Sequence, residues 1–238
     1  MENILEVTGL SKHFGGFTAL SDVTLAVAKG ERLGLIGPNG SGKTTLINCI
    51  SGALFNDAGE VRFKGQNVAR MAANARTQRG IARSFQIPRP FGSMTVRENL
   101  LVPLSYVRNL FGAKAVAEAD ALLHDMGLAD RADVLSNQLS QVELRKMELA
   151  RAMAAGPDLL ISDEAMAGLS GAEVEEVLDI LFKLNAKGIT IIMIEHIMQA
   201  VMKFSQRVVC LDAGQIICEG SPQEVVANEY VQRAYLGD

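Results

Sequence analysis

Eight consecutive residues, Gly37-Pro38-Asn39-Gly40-Ser41-Gly42-Lys43-Thr44, fit the pattern G-x-x-x-x-G-K-[ST] in full. Glycines at these places let successive backbone N–H groups turn inward around a phosphate, and the start of a helix adds partial positive charge. In such a cradle, extended by Thr45, Lys43 reaches the β and γ phosphates of a nucleotide and the Thr44 hydroxyl binds Mg2+. A bland reading, a glycine-rich turn that only caps a helix, competes weakly because the flanking residues read as strand and helix. A pair of carboxylates, Asp163-Glu164, follows the apolar run Leu159-Leu160-Ile161. That puts both at the carboxyl end of a buried strand, where open α/β sheets bind ligands. There Asp163 would hold Mg2+ through water and Glu164 would polarise the water that attacks the γ-phosphate. The rival is a solvated acidic helix start.

The elements that must position these groups are legible in the periodicity. Ile4–Thr8, Val23–Val27 and Arg32–Ile36 read as strands, the last running into the glycine loop. Lys43–Ile50 reads as a helix ended by Gly52. From about Pro88 to Pro157 the pattern becomes helical: a capping box at Thr95-Val96-Arg97-Glu98, an alanine-rich helix from Lys114 to Met126, and a third from Gln141 to Ala155. Leu159–Ile161 and Ile189–Ile194 are continuous apolar runs of the kind buried on both faces of a parallel sheet. Ser162 interrupts the first. Between the runs, Ser170-Gly171-Ala172-Glu173 caps a helix with Val174, Val177, Leu178 and Leu181 on one stripe, completing a βαβ unit. A hairpin at Arg207–Leu211 and Gln215–Cys218 precedes the capping box Ser221-Pro222-Gln223-Glu224, so the chain is expected to end in helix.

The 238 residues, 48% hydrophobic and 21% charged with 22 glycines, suit a globular α/β chain with a sizeable core and exclude disorder as the main theme. A net charge of −4 and a pI near 5.5 provide no positive field for a phosphate backbone, so nucleic acid is not an expected partner. Cys49, Cys210 and Cys218 lie singly in the sequence, fitting a reducing compartment. Residues 1–6 lack the basic and apolar regions of a signal peptide, and no run approaches the about 18–20 apolar residues of a membrane span. Any work at a membrane is expected from its side. Arg70, Arg76, Arg79, Arg83 and Arg89 read as a solvated face, and His13 and His124 as surface residues.

In combination, the phosphate loop, a helical insertion, Leu139-Ser140 opening a helix, Asp163-Glu164 and a histidine after a buried strand resemble the ATP-binding-cassette (ABC) ATPases over nearly the whole chain. The resemblance implies an α/β P-loop NTPase fold of ABC type: a parallel-sheet core with an antiparallel β subdomain over 1–87 and 157–238, and a helical subdomain over 88–156. It implies ATP and Mg2+ as ligands. It also assigns Gln86 to sensing Mg2+ and the attacking water, His196 to the γ-phosphate, and Phe14 to stacking on adenine. Taken alone, Gln86 is a polar loop residue, His196 a helix-start histidine, and Phe14, like nearby Phe17, a core side chain.

One departure stands out. The family signature Leu-Ser-Gly-Gly-Gln appears here as Leu139-Ser140-Gln141-Val142-Glu143. In the family this segment offers its serine and backbone amides to the γ-phosphate held by a partner's P-loop. Val142 is β-branched where glycine permits close approach, and Glu143 adds a negative charge near an anion. Together they are expected to cost a few kcal/mol of transition-state stabilisation, a rate factor of about 10–1000. Ala165, where the family has proline, is a milder change. A heterodimer with a second ABC ATPase of regular signature follows, with a homodimer as the alternative.

Within the family the likeness is to the ATPase subunits of branched-chain amino-acid importers. Gly80–Gln86, Phe91 with Thr95–Leu100, Ala167-Gly168-Leu169, Ile194–Met198 and the tail Ala234-Tyr235-Leu236-Gly237 carry it. Ile197 replaces the aspartate usual after the histidine. The implied partners are transmembrane permease subunits, docked near Pro88, Pro90 and Phe91, and indirectly a periplasmic solute-binding protein. The implied place is the cytoplasmic face of the inner membrane. Two other readings stay open: a low-turnover nucleotide-binding regulator, and the ATPase of a lipopolysaccharide or urea system.

Overall fold

The computed structural model describes residues 2–236, so Gly237 of the tail lies outside the described residues. Apolar alternation builds β1 (Asn3–Phe14) and β2 (Phe17–Ala28), an antiparallel pair joined through Gly15 and Gly16. The chain then leaves this sheet as β3 (Arg32–Ile36), passes through the glycine loop and enters α1 (Lys43–Ser51). It returns as β4 (Ala58–Phe63) and β5 (Gln66–Asn67), giving a four-stranded antiparallel sheet in the order β2-β1-β4-β5. Leu5, Val7, Leu10, Val61 and Phe63 from this sheet bury themselves against Leu46, Ile47 and Ile50 of α1 in one apolar cluster.

After α2 (Ala73–Gln78), β6 (Ile81–Ser84) joins the second sheet. Three helices follow, α3 (Val96–Tyr106), α4 (Gly112–Asp125) and α5 (Gln141–Ala154), and they pack on one another through Leu100, Leu104, Ala119, Leu123 and Met147. The capping box expected at Thr95 is present: its hydroxyl accepts the Glu98 N–H at 3.2 Å and the Glu98 carboxylate accepts the Thr95 N–H at 2.8 Å. The alanine-rich helix begins at Gly112, two residues before its expected start.

The second sheet is completed by β7 (Leu159–Asp163), α6 (Gly171–Ala186), β8 (Thr190–Ile194), α7 (Met198–Phe204), β9 (Arg207–Asp212) and β10 (Gln215–Gly220). Its order is β10-β9-β3-β8-β7-β6, parallel except for the antiparallel β10. Every residue of β7 and β8 is buried, as their continuous apolar runs require. Ser162 is buried inside β7 without breaking it. The expected terminal helix is two, α8 (Pro222–Ala227) and α9 (Glu229–Leu236), because the Asn228 side chain turns back to accept the Tyr230 N–H at 2.9 Å.

The solvated arginine face is corrected at two positions. Arg70, Arg79 and Arg89 are exposed, but Arg76 is fully buried and Arg83 mostly so. The Arg76 guanidinium donates to the carbonyls of Cys49 and Ile50, at 2.5 and 2.8 Å, and to those of Ala69 and Met71 at 3.0 and 2.9 Å. Carbonyls at a buried helix end need donors, and a guanidinium supplies five. Cys210 and Cys218 face one another across the hairpin of β9 and β10 as free thiols. Burial pushes the Cys210 thiol up to about 12, which keeps it protonated.

Candidate active site

Four adjacent parallel strands, β3, β8, β7 and β6, end on the same side of the sheet. Pairing of Leu35 and Asp163 with Ile194, and of Ser84 with Ser162, brings those ends level. The expected stretches emerge there: residues 37–42 after β3, His196 after β8, Asp163-Glu164 at the end of β7, and Gln86 after β6.

The phosphate loop requires glycine for space as well as conformation. Gly37 and Gly42 have φ of 151° and 106°, and a Cβ would fall 2.1 Å from the Leu211 carbonyl oxygen or 2.7 Å from that of Ala19. Gly42 caps α1 without a side-chain hydrogen bond, leaving the first-turn amides for an anion. Lys43 donates to the carbonyls of Gly37 and Pro38 at 2.6 and 2.9 Å. Burial lowers its pKa, an effect opposed by the charges of Glu164 and Asp163. The Ser41 hydroxyl is buried with no protein partner, an orphaned donor that suits a phosphate oxygen.

Phe14, Phe17, the loop residues Asn39 to Thr45, Glu164 and His196 line one cavity of about 290 Å³. Phe14 and Phe17 are 48% and 62% exposed, so the core reading of both is set aside. Lys12, held by Asp57 at 2.8 Å, sits 5.5 Å from the centre of the Phe14 ring and steadies the end of β1. An adjoining cavity shares Thr44 and adds Gln86, Arg83 and Asp163.

The Glu164 carboxylate is gripped from both sides. His196 Nε2 lies 3.0 Å from its Oε1, and the Gln86 amide donates to its Oε2. Three residues separated by 78 and 32 positions thus meet at one carboxylate. Glu164 also has φ of 47°, a left-handed conformation rare outside glycine and common where strain serves a site. Asp163 pairs with Arg83 Nη2 at 2.5 Å, and Arg83 Nη1 reaches Asn48 of α1 at 2.6 Å. Among the described residues no three His, Cys, Asp or Glu side chains converge on a metal position. Thr44 and Asp163 line one cavity as oxygen donors, which fits a hard cation that takes its remaining ligands from water and nucleotide.

The segment 139–143 is built differently. Ser140 caps α5: its hydroxyl accepts the Glu143 N–H at 3.4 Å, and the Glu143 carboxylate accepts the Ser140 N–H at 2.8 Å. Arg131 binds the other Glu143 oxygen at 2.7 Å. The Ser140 amide and the Arg131 guanidinium hold the Glu143 pKa below the usual carboxylate range. Gln141 donates to the Ala167 carbonyl at 3.3 Å, and Val142 packs on the helical core.

Residues 20–167 match the family model described as ABC transporter, and residues 215–238 match that described as Branched-chain amino acid ATP-binding cassette transporter. The chain is an ABC-transporter ATP-binding subunit. Its relatives include the probable branched-chain amino acid transport ATP-binding protein LivG of Archaeoglobus fulgidus, 35% identical with 98% of this chain and 95% of the relative covered. BraF of Pseudomonas aeruginosa, named a high-affinity branched-chain amino acid transport ATP-binding protein, is 33% identical over 99% and 98% of the two chains. LptB of Haemophilus influenzae, named a lipopolysaccharide export system ATP-binding protein, is 33% identical over the same shares. Among solved structures, the ADP conformation of MJ1267, an ATP-binding cassette of an ABC transporter, superposes with a TM-score of 0.92 at 32% identity, with both chains fully covered. The subunit therefore has the ABC ATPase fold, with its mixed sheet and helical subdomain, and the corresponding ATP-hydrolysing activity. Among the described residues no helix of this subunit is long and apolar enough to cross a membrane.

Sequence reasoning missed several residues at this site. Arg83 pairs with Asp163. Arg145, from α5, donates to the carbonyls of Gln86 and Ala167. Tyr235 accepts the Gly37 N–H at 2.8 Å. Glu195 is 1% exposed and accepts the Met166 N–H at 2.9 Å, with burial pushing its carboxyl up to about 7. The available signal was the presence of charged residues within apolar stretches, most plainly Glu195 directly after β8.

Proposed function

We propose that this subunit binds and hydrolyses MgATP to drive import of branched-chain amino acids or similar small solutes. The observation that carries the site assignment is the convergence of Gln86, Glu164 and His196 beside the phosphate loop. In this reading Phe14 stacks on adenine, residues 37–45 bind the phosphates through backbone amides, and Lys43 leaves its carbonyl partners to contact the β and γ oxygens. Thr44, Asp163 and Gln86 would hold Mg2+, which would supply positive charge against the phosphates. Glu164 orients and polarises the attacking water, and His196 contacts the γ-phosphate while keeping Glu164 in place. The core is assigned to 1–87 and 157–238, and the helical subdomain to 88–156.

The relatives named for branched-chain amino-acid transport support the cargo, and the family supports a complex with permease subunits, a second ATPase and, indirectly, a periplasmic binding protein. A groove of about 390 Å³ between core and helical segment, lined by Phe85, Phe91, Val102 and Tyr106, suits the permease contact. Phe85 is 54% and Tyr106 80% exposed, an apolar edge that gains from being covered. The subunit then sits on the cytoplasmic face of the membrane. The self-capped segment at 140–143 favours pairing with an ATPase of regular signature. The same feature supports a second reading, a regulator with low turnover.

Calorimetry and steady-state phosphate release separate these readings. Glu164→Gln is expected to keep MgATP binding while turnover of the transporter complex falls about 100-fold or more. No affinity for MgATP in the unaltered chain would end the proposal. Turnover absent before the substitution would favour the regulator.

A further inference from the structure

Glu164 occupies a backbone conformation that an L-residue avoids, so its neighbours must hold it there. Two hydrogen bonds flank it, and both come from the end of β8. The Glu164 N–H donates to the Ile194 carbonyl at 2.9 Å, and two residues on, the Met166 N–H donates to the Glu195 carboxylate at 2.9 Å. The first bond continues the sheet and is available to any residue type at 194. The second depends on one side chain. Met166 is fully buried, so its N–H has no water to turn to if that acceptor is lost. Glu195 itself is 1% exposed, in a place where an unpaired carboxyl is costly and an aliphatic residue would be the ordinary choice.

We propose that Glu195 is a positioning residue for hydrolysis: its carboxylate pins the turn after Glu164 to the strand that carries His196, fixing the angle at which the two side chains meet. The inference rests on the role given above to Glu164. The turn is short and internally bonded, the Ala167 N–H donating to the Glu164 carbonyl at 3.3 Å and the Leu169 N–H to the Met166 carbonyl at 3.2 Å. Releasing Met166 therefore leaves the Glu164 backbone held to β8 by the Ile194 carbonyl alone. Because His196 is the next residue after Glu195, one short stretch sets the histidine and the carboxylate it contacts. Arg145 also donates to the Ala167 carbonyl, so the turn is held by a guanidinium as well as a carboxyl.

The test compares Glu195→Met, which keeps approximate volume and removes the acceptor, with Glu195→Gln, which keeps an acceptor oxygen. Both are made in the full chain within its transporter complex. Glu195→Met is expected to lower kcat about tenfold or more with KM for MgATP within about twofold, while Glu195→Gln retains most of the rate. Amide hydrogen exchange gives a readout independent of turnover: the Met166 amide should exchange faster in Glu195→Met and stay protected in Glu195→Gln. Unchanged kcat in Glu195→Met, equal loss in both variants, or a matching loss of MgATP affinity would each overturn the proposal. Glu164→Gln in the same assay separates failures, since undiminished turnover there would remove the role on which the inference rests.

Discussion

The loop at residues 37–45 and the turn at residues 139–143 both present the start of a helix, yet they dispose of their amides in opposite ways. At α1 the cap is Gly42, which has no side chain, so the helix end stays available to an external anion. At α5 the subunit's own Glu143 occupies that position, and Arg131 neutralises the carboxylate from outside. The sequence reading expected Glu143 to repel a phosphate. The structure adds that it also takes up one of the amides at this helix start, since its carboxylate already lies on the Ser140 N–H. How many amides a helix N-terminus leaves for an outside anion thus depends on what occupies the cap and the third position.

The largest effect is expected from closing the first site. Gly37→Ala would push a Cβ to 2.1 Å from the Leu211 carbonyl oxygen, at a φ that alanine avoids. MgATP binding by calorimetry should vanish, with stability lowered by about 3 kcal/mol or more. Opening the second site should act in the opposite direction. The double substitution Val142→Gly, Glu143→Gln is expected to raise turnover of the assembled transporter about tenfold; an unchanged rate would mean that this turn never meets a phosphate. Comparable in free energy is a pH effect. The Glu195 pKa is raised from 4.5 unfolded to about 7 folded, so its stabilising contribution is complete below pH 4.5 and is lost as pH rises to 7. Glu195→Gln, which does not titrate, should therefore gain about 1–3 kcal/mol over the parent in denaturant titrations at pH 8 relative to pH 4.5. The smallest change is expected from Arg131→Ala, which exposes the Glu143 charge but leaves its backbone bond. Stability should fall by less than about 1 kcal/mol, and less again in high salt.

What the sequence revealed follows a physical line. Strand, glycine loop and helix around residue 37 were legible because each is local: periodicity, glycine spacing and a capping pattern lie within a few residues of one another. The buried runs of β7 and β8 were legible for the same reason, and Gln86 and His196 were placed by resemblance. Arg83 was not, because its partner Asp163 lies 80 residues away and nothing in a run of arginines tells a buried one from a solvated one. Arg76 hides equally well, since its partners are backbone carbonyls, which have no sequence signature. β4 escaped because only two of its six residues are buried and its pattern shows no apolar run, and β6 because it spans four residues with Arg83 among them. Glu195 was read only as the neighbour of His196, although a carboxylate following five buried residues was itself a clue.

The Arg76 guanidinium has one further consequence. α1 has no basic residue in its last turn, so α2 lends it one from outside. The helix under the phosphate loop is accordingly tethered at its rear to the stretch leading into β6, whose exit carries Gln86. Front and back of that rod are thus fastened to different parts of the same scaffold, the one to the phosphate loop and the other, through α2, to the approach to the sheet edge.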